Sequence, residues 1–176
     1  AWSPYHGAAY AVVEAAAKVV AAGGSYARMR YSYQEYFGRM TSDPFTWGRP
    51  LAALLGALRM QEELGLPSIG GKDSMSGTFG QLDVPPMLMA FGITTVDASK
   101  VISTDLKGAG HRIYLVRHTP LENRMPDTAQ LKENFAFVSG RIESGKILSA
   151  WSVGFGGVGE GLAKMAFGNG IGAEVT

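Results

Sequence analysis

Apolar residues fall into a few long stretches broken by glycine, proline and charge, and their spacing predicts helices alternating with strands. Residues 8–22 are almost entirely alanine and valine, interrupted by Tyr10, Glu14 and Lys18, and they stop at Gly23-Gly24. That composition predicts a helix with a glycine end. Residues 50–64 place Leu51, Leu54, Leu55 and Leu58 at helical spacing before Gly65 and Pro67, which predicts a second helix. Residues 87–96 (MLMAFGITTV) are apolar over a strand length and predict a strand buried on both faces. Further on, 112–117 (RIYLVR) reads as a strand, 127–143 as a helix entered through Pro126-Asp127, and 146–153 as a short extended piece. Glycine-rich 154–159 then leads into a helix through Phe167. The alternation argues for an α/β architecture. The polar, glycine-bearing 105–110 (DLKGAG) predicts a boundary between two units, residues 1–106 and 107–176.

Charge and composition narrow the function classes. The chain has 176 residues with 16 basic against 15 acidic, so no general field draws it to nucleic acid or an anionic membrane. Segment 26–47 interleaves tyrosine with arginine, a pattern that can bind single-stranded nucleic acid. Without a wider basic field it reads instead as an amphipathic helix or irregular segment, aromatics inward and arginines outward. No cysteine is present, which excludes disulfides, thiolate metal sites and a cysteine nucleophile and fits a reducing, cytoplasmic setting. No apolar run reaches a membrane span. The chain opens without Met or a signal segment, and 168–176 ends where a strand is expected to begin. Both features suggest a segment of a longer protein.

The richest chemistry lies in 70–77 (GGKDSMSG). Read as a loop between two strands, it offers glycine amides that can approach phosphate, Lys72 as a point charge, Asp73 as a hard oxygen ligand for Mg²⁺, and the Ser74 hydroxyl. A structural turn explains the same residues. It is not a Walker A loop, because Leu66 stands where the first glycine is required and Asp73 where the hydroxyl is required.

Residues 154–159 (GFGGVG) satisfy Gly-x-Gly-x-x-Gly with Glu174 downstream, yet one match among 24 glycines reads as a tight turn before a helix. His6, His111 and His118 have neither metal-pair nor triad spacing, and His6 is expected at the surface or as a cap. Glu14 and Lys18, four apart on a helix, form an ordinary surface ion pair on this reading. No catalytic side chain can be assigned.

Several strings taken in order, namely residues 5–14 (YHGAAYAVVE), 34–37 (QEYF), 47–50 (WGRP), 54–57 (LLGA), 71–79 (GKDSMSGTF) and 83–86 (DVPP), resemble phosphoribosylformylglycinamidine synthase, the large purine-biosynthesis amidotransferase. The resemblance covers essentially the whole chain. It implies an aminoimidazole-ribotide-synthetase-like (PurM-like) fold: part of an N-terminal, ATP-binding-type α/β domain from the second such repeat, followed by the start of the C-terminal α/β domain. It also implies a ligase that converts formylglycinamide ribonucleotide, glutamine and ATP to formylglycinamidine ribonucleotide. ATP activates the formamide oxygen and ammonia displaces phosphate, with Mg²⁺ neutralising phosphate charge.

The implied partners are small-molecule substrates and the rest of the polypeptide, including a first repeat and a glutaminase domain; neither nucleic acid nor a membrane is among them. Alone, the segment is expected to be inactive. A non-catalytic, pseudo-symmetric scaffold repeat is the alternative. Gly71, Lys72 and Ser74 match nucleotide- and phosphate-facing positions, and Asp73 and Glu14 metal positions. Two departures stand out: Lys18 replaces a metal-ligating asparagine, and 151–157 (WSVGFGG) lacks the aspartate and serine of the family's glycine turn. They imply that the auxiliary pocket holds no permanent ADP and is closed by packing of Trp151 and Phe155.

Overall fold

The computed structural model describes residues 3–175. Its first half is a three-stranded sheet covered by two helices. Helix α1 (Pro4–Ala21) begins where Ser3 accepts from His6 N–H with Pro4 at the first helical position. Both features favour a helix start, since proline has no amide to satisfy there. The helix ends before Gly23, whose φ of 95° favours glycine. Ala8, Ala9, Val12, Ala16 and Val20 make its buried stripe.

Strand β1 (Arg30–Tyr36) occupies the aromatic and arginine-rich segment, where a helix or irregular chain was expected. The reason lies in its period of two: Tyr31, Tyr33 and Glu35 share one face, and Ser32, Gln34 and Tyr36 the other. Tyrosine favours such a half-buried pleat. The aromatics do go inward, with Tyr31 and Phe37 buried, while Arg28, Arg30 and Arg39 stay exposed. The Tyr31 hydroxyl donates to Val12 O of α1 at 3.0 Å, and its ring stacks on Tyr33 at 5.6 Å.

Helix α2 (Pro44–Leu64) starts six residues earlier than its leucine spacing suggests. Asp43 caps it by accepting from Phe45 N–H at 2.9 Å, Pro44 opens it and Pro50 lies inside it. It stops at Gly65 in the left-handed region (φ 73°), as expected. Its buried face carries Ala53, Gly56, Ala57 and Met60. At Gly56 the backbone of α1 comes so close that an added Cβ would collide with Tyr5 O.

Strand β2 (Ser68–Ser74) follows, then the short hairpin β3 (Thr78–Phe79) and β4 (Leu82–Asp83), and strand β5 (Met87–Ile93). The sheet order is β2-β1-β5, with β1 parallel to β2 through the α2 crossover and antiparallel to β5. The register slips once, between Tyr31↔Ser68 and Ser32↔Gly70, leaving Ile69 as a bulge. Strand β5 packs on α1 at Gly92, where a Cβ would meet Val19 and Met29 at 2.8 and 2.9 Å. Its other face is open, with Phe91 and Ile93 exposed, so it is covered on one face rather than two.

The second half is looser. Residues 112–117 form no strand, and Ile113, Tyr114, Leu115 and Val116 are all exposed: the alternation is present, but among the described residues it has neither ladder partner nor covering layer. Residues 146–153 and 171–175 likewise form no strand, so the extended piece and the terminal strand start do not materialise. Helix α3 (Thr128–Glu143) matches expectation, with Asp127 accepting from Gln130 N–H at 3.1 Å. It docks through Phe135 on Tyr26 and through the Thr128 hydroxyl, which donates to Glu63 of α2 at 2.9 Å. Helix α4 (Gly157–Phe167) follows the glycine turn. Among the described residues no helix is long and apolar enough to cross a membrane.

Candidate functional site

The GGKDS string is a strand rather than the expected loop: all of 70–74 lies in β2, with Gln34↔Lys72, Glu35↔Asp73 and Tyr36↔Ser74 as ladder partners. Its glycines and polar side chains made it read as a loop, and an exposed edge strand carries the same residue types. The consequence for chemistry is a division between faces, because successive side chains in a strand point to opposite sides.

Lys72 and Ser74 share the open face of the sheet, where the Lys72 ammonium lies 5.1 Å from the centre of the Tyr36 ring. Asp73 shares the helix-covered face with Tyr31, Tyr33 and Glu35. Gly71 fits against the neighbouring backbone, since a Cβ there would lie 2.7 Å from Tyr33 O. The polar groups of the expected cradle are thus divided: a cation with a hydroxyl on one face, a carboxylate on the other.

Beyond the C-terminal end of β1 lies a small depression lined by Phe37, Arg39, Met40, Thr46, Arg49 and Asp83. The ends of parallel strands are where ligands of α/β folds usually bind. Arg49 stacks over Phe45 at 4.9 Å, while Asp83 accepts from the Thr78 hydroxyl at 2.6 Å. The Thr78 oxygen in turn accepts from Arg39 N–H at 2.7 Å, tying the β3-β4 hairpin to this end of the sheet.

Glu14 stands apart from this constellation. On α1 it pairs with Lys18 at 2.7 Å, and both side chains are more than half exposed. That is the ordinary i, i+4 ion pair, worth about 0.3–0.5 kcal/mol. Among the described residues no group of three or more His, Asp or Glu is placed to hold a metal.

Glu35, by contrast, lies in the 34–37 string, where no chemical role was assigned to it. It is 4% exposed, and one of its carboxylate oxygens is buried without a hydrogen-bond partner. Burial pushes its pKa up, and the nearby Asp73 carboxylate pushes it further. As a donor set for magnesium, Asp73 with Glu35 fits a hard cation that needs oxygen ligands, whereas Glu14 is already engaged with a lysine.

The remaining motifs resolve into structure. In the glycine turn, Glu160 accepts from Gly156 N–H at 2.9 Å and pairs with Lys164 at 2.6 Å, so the start of α4 is closed by its own carboxylate. No strand precedes it, so the dinucleotide arrangement is missing one of its parts. Trp151 does pack there, against Gly161 and under Lys164. Phe155 does not, being fully exposed. His6 donates through Nε2 to Asn123 O at 3.1 Å, and Ser3 Oγ lies 2.9 Å from its Nδ1; the ring joins α1 to the 121–125 turn. His118 Nε2 accepts from Asp127 N–H at 3.0 Å.

A parallel β-α-β unit with an antiparallel third strand, layered under two helices, is the mixed α/β fold of PurM-like domains. No family model matches the chain. Named relatives are specific, and the chain is similar in sequence and in fold to a segment of phosphoribosylformylglycinamidine synthase.

It is 29% identical to the PurL subunit of that synthase from Pyrobaculum aerophilum, over 98% of this chain and 26% of the relative. With the Thermoplasma acidophilum PurL subunit it shares 30% identity, over 64% of this chain and 17% of the relative. The crystal structure of phosphoribosylformylglycinamidine synthase II from Thermotoga maritima superposes with a TM-score of 0.64 at 22% identity, covering 91% of this chain and 25% of that one. The T. maritima PurL structure complexed with ATP superposes at 0.62 and 17% identity, over 93% and 26%. The chain therefore spans about a quarter or less of the length of these relatives.

Proposed function

We propose that this chain is a segment of an ATP-dependent phosphoribosylformylglycinamidine synthase, a C–N ligase of purine biosynthesis with glutamine as amide donor. The observation that carries this reading is the sequence match to the P. aerophilum PurL subunit along 98% of the chain. On this reading residues 1–106 are part of an ATP-binding-type domain and 107–176 begin its C-terminal companion. The first repeat, the glutaminase and the remaining substrate contacts come from other parts of a cytoplasmic enzyme, and the segment is inactive by itself.

The open face of β2 suits a phosphorylated substrate. Lys72 offers a mobile positive charge, Ser74 a hydroxyl, and the glycines leave space for close approach. ATP supplies the activating phosphoryl group, and Lys72 and Ser74 orient phosphate and offset its charge. Magnesium, which would neutralise phosphate charge when bound, is assigned to Asp73; Glu14, though it matches a family metal position, is held by Lys18. That pairing favours an auxiliary pocket without a resident nucleotide.

Replacing Lys72 by alanine in the full-length enzyme tests the proposal through ammonia-dependent product formation. A loss of about a hundredfold or more with unchanged melting is expected, the scale for losing one preorganised charge donor. Normal turnover would instead make this repeat a scaffold.

A further inference from the structure

Among the described residues Glu35 is the one buried charged side chain, and its position is hard to reconcile with a bare carboxylate. An ionised carboxylate removed from water costs several kcal/mol unless it is paired. Buried polar atoms without a partner are rare in native proteins and commonly mark an unseen water or ion. Glu35 has one such oxygen, and the Tyr33 hydroxyl on the same strand face has no hydrogen-bond partner either.

A neighbouring carboxylate worsens the problem. Asp73 is the ladder partner of Glu35 in the parallel register, so the two side chains leave adjacent strands on the same face. Neighbouring strands lie about 4.8 Å apart, a spacing from which two carboxylates can reach one ion. Lys72, next to Asp73 in sequence, lies over Tyr36 on the opposite face, and Lys18 of α1 is paired with Glu14.

We propose that Glu35 and Asp73 together hold one hard divalent cation of the Mg²⁺ class. Glu35 supplies an oxygen from the buried side and Asp73 one from the exposed edge. Water completes the shell, as is usual for magnesium held by one or two carboxylates. Two negative charges and an all-oxygen donor set favour a divalent, hard ion over a soft one. The inference rests on the reading of Asp73 as a metal ligand, and it names Glu35 as that ligand's partner in place of Glu14.

The test uses the full-length protein stripped with a chelator, with Mn²⁺ as probe in the absence of nucleotide and free Mn²⁺ counted by electron paramagnetic resonance. Glu35→Gln and Asp73→Asn are each expected to lose one equivalent of bound Mn²⁺, or to weaken it by about tenfold or more. Glu14→Gln should bind as the wild type does. Asp73 sits on an exposed edge, so its variant remains informative if Glu35→Gln folds poorly. Unchanged Mn²⁺ binding in Asp73→Asn overturns the proposal. So does unchanged binding in a Glu35→Gln protein that melts higher than wild type, the signature of a pair sharing a proton. Because nucleotide is absent, failure here is separate from failure of the ligase reading, which Lys72→Ala turnover decides.

Discussion

The Tyr31 hydroxyl reaches across the core to a helix carbonyl, and burial raises its pKa above the ordinary range. Tyr31→Phe keeps the ring and the stack on Tyr33, so the loss should be one hydrogen bond, about 1 kcal/mol in urea unfolding. His118 makes a different prediction. Its Nε2 must stay unprotonated to accept from Asp127 N–H, and burial lowers its pKa below the ordinary 6.5, with Asp127 opposing weakly. The unfolded chain then binds the proton more readily than the folded one. Stability is therefore full above pH 6.5 and falls as pH drops below it toward the folded pKa. Melting curves across that window should show the decline, and His118→Asn should flatten it; a flat wild-type profile contradicts the assignment.

At the scale of elements, packing overrides propensity where α1 crosses α2. Replacing a helical glycine by alanine ordinarily gains up to about 1 kcal/mol. At Gly56 the added methyl would collide with the Tyr5 carbonyl, and overpacking costs about 1–3 kcal/mol. Gly56→Ala should thus lower the melting temperature, whereas Gly48→Ala, with open space around it, should not. The helices were legible in sequence because alanine and leucine stripes with glycine or proline stops are local signals. Strand β1 was not, since its tyrosines fit either period until β2 and β5 fix the register. Residues 112–117 failed in the opposite direction: alternation alone makes no strand without a ladder partner. The candidate site was half legible. Lys72, Asp73 and Ser74 announce themselves by chemistry, but which face each occupies follows from pairing. Glu35 falls in the 34–37 string, but nothing local gives it a role; only its own burial singles it out.

Across the whole molecule, the balance of charge conceals a lopsided surface. Leu51, Leu54, Leu55 and Leu58 form an exposed stripe on α2 opposite its buried face, and Phe91 and Ile93 are bare on the open side of the sheet. Contiguous apolar surface of this kind drives association in monomeric proteins. The 176-residue chain expressed by itself is expected to self-associate in sedimentation velocity, and Leu54→Glu with Leu58→Glu to reduce that association at unchanged helicity. A monomeric wild-type chain contradicts this. The alternation of β2 also reaches beyond geometry, into how mutations combine. Lys72 and Asp73 are sequence neighbours separated by a sheet, so substitutions at Lys72 and Glu35 should act independently, while those at Asp73 and Glu35 should couple by about 0.5 kcal/mol or more in a double-mutant cycle. Neighbours along the chain can thus vary separately, whereas residues 38 positions apart must change together.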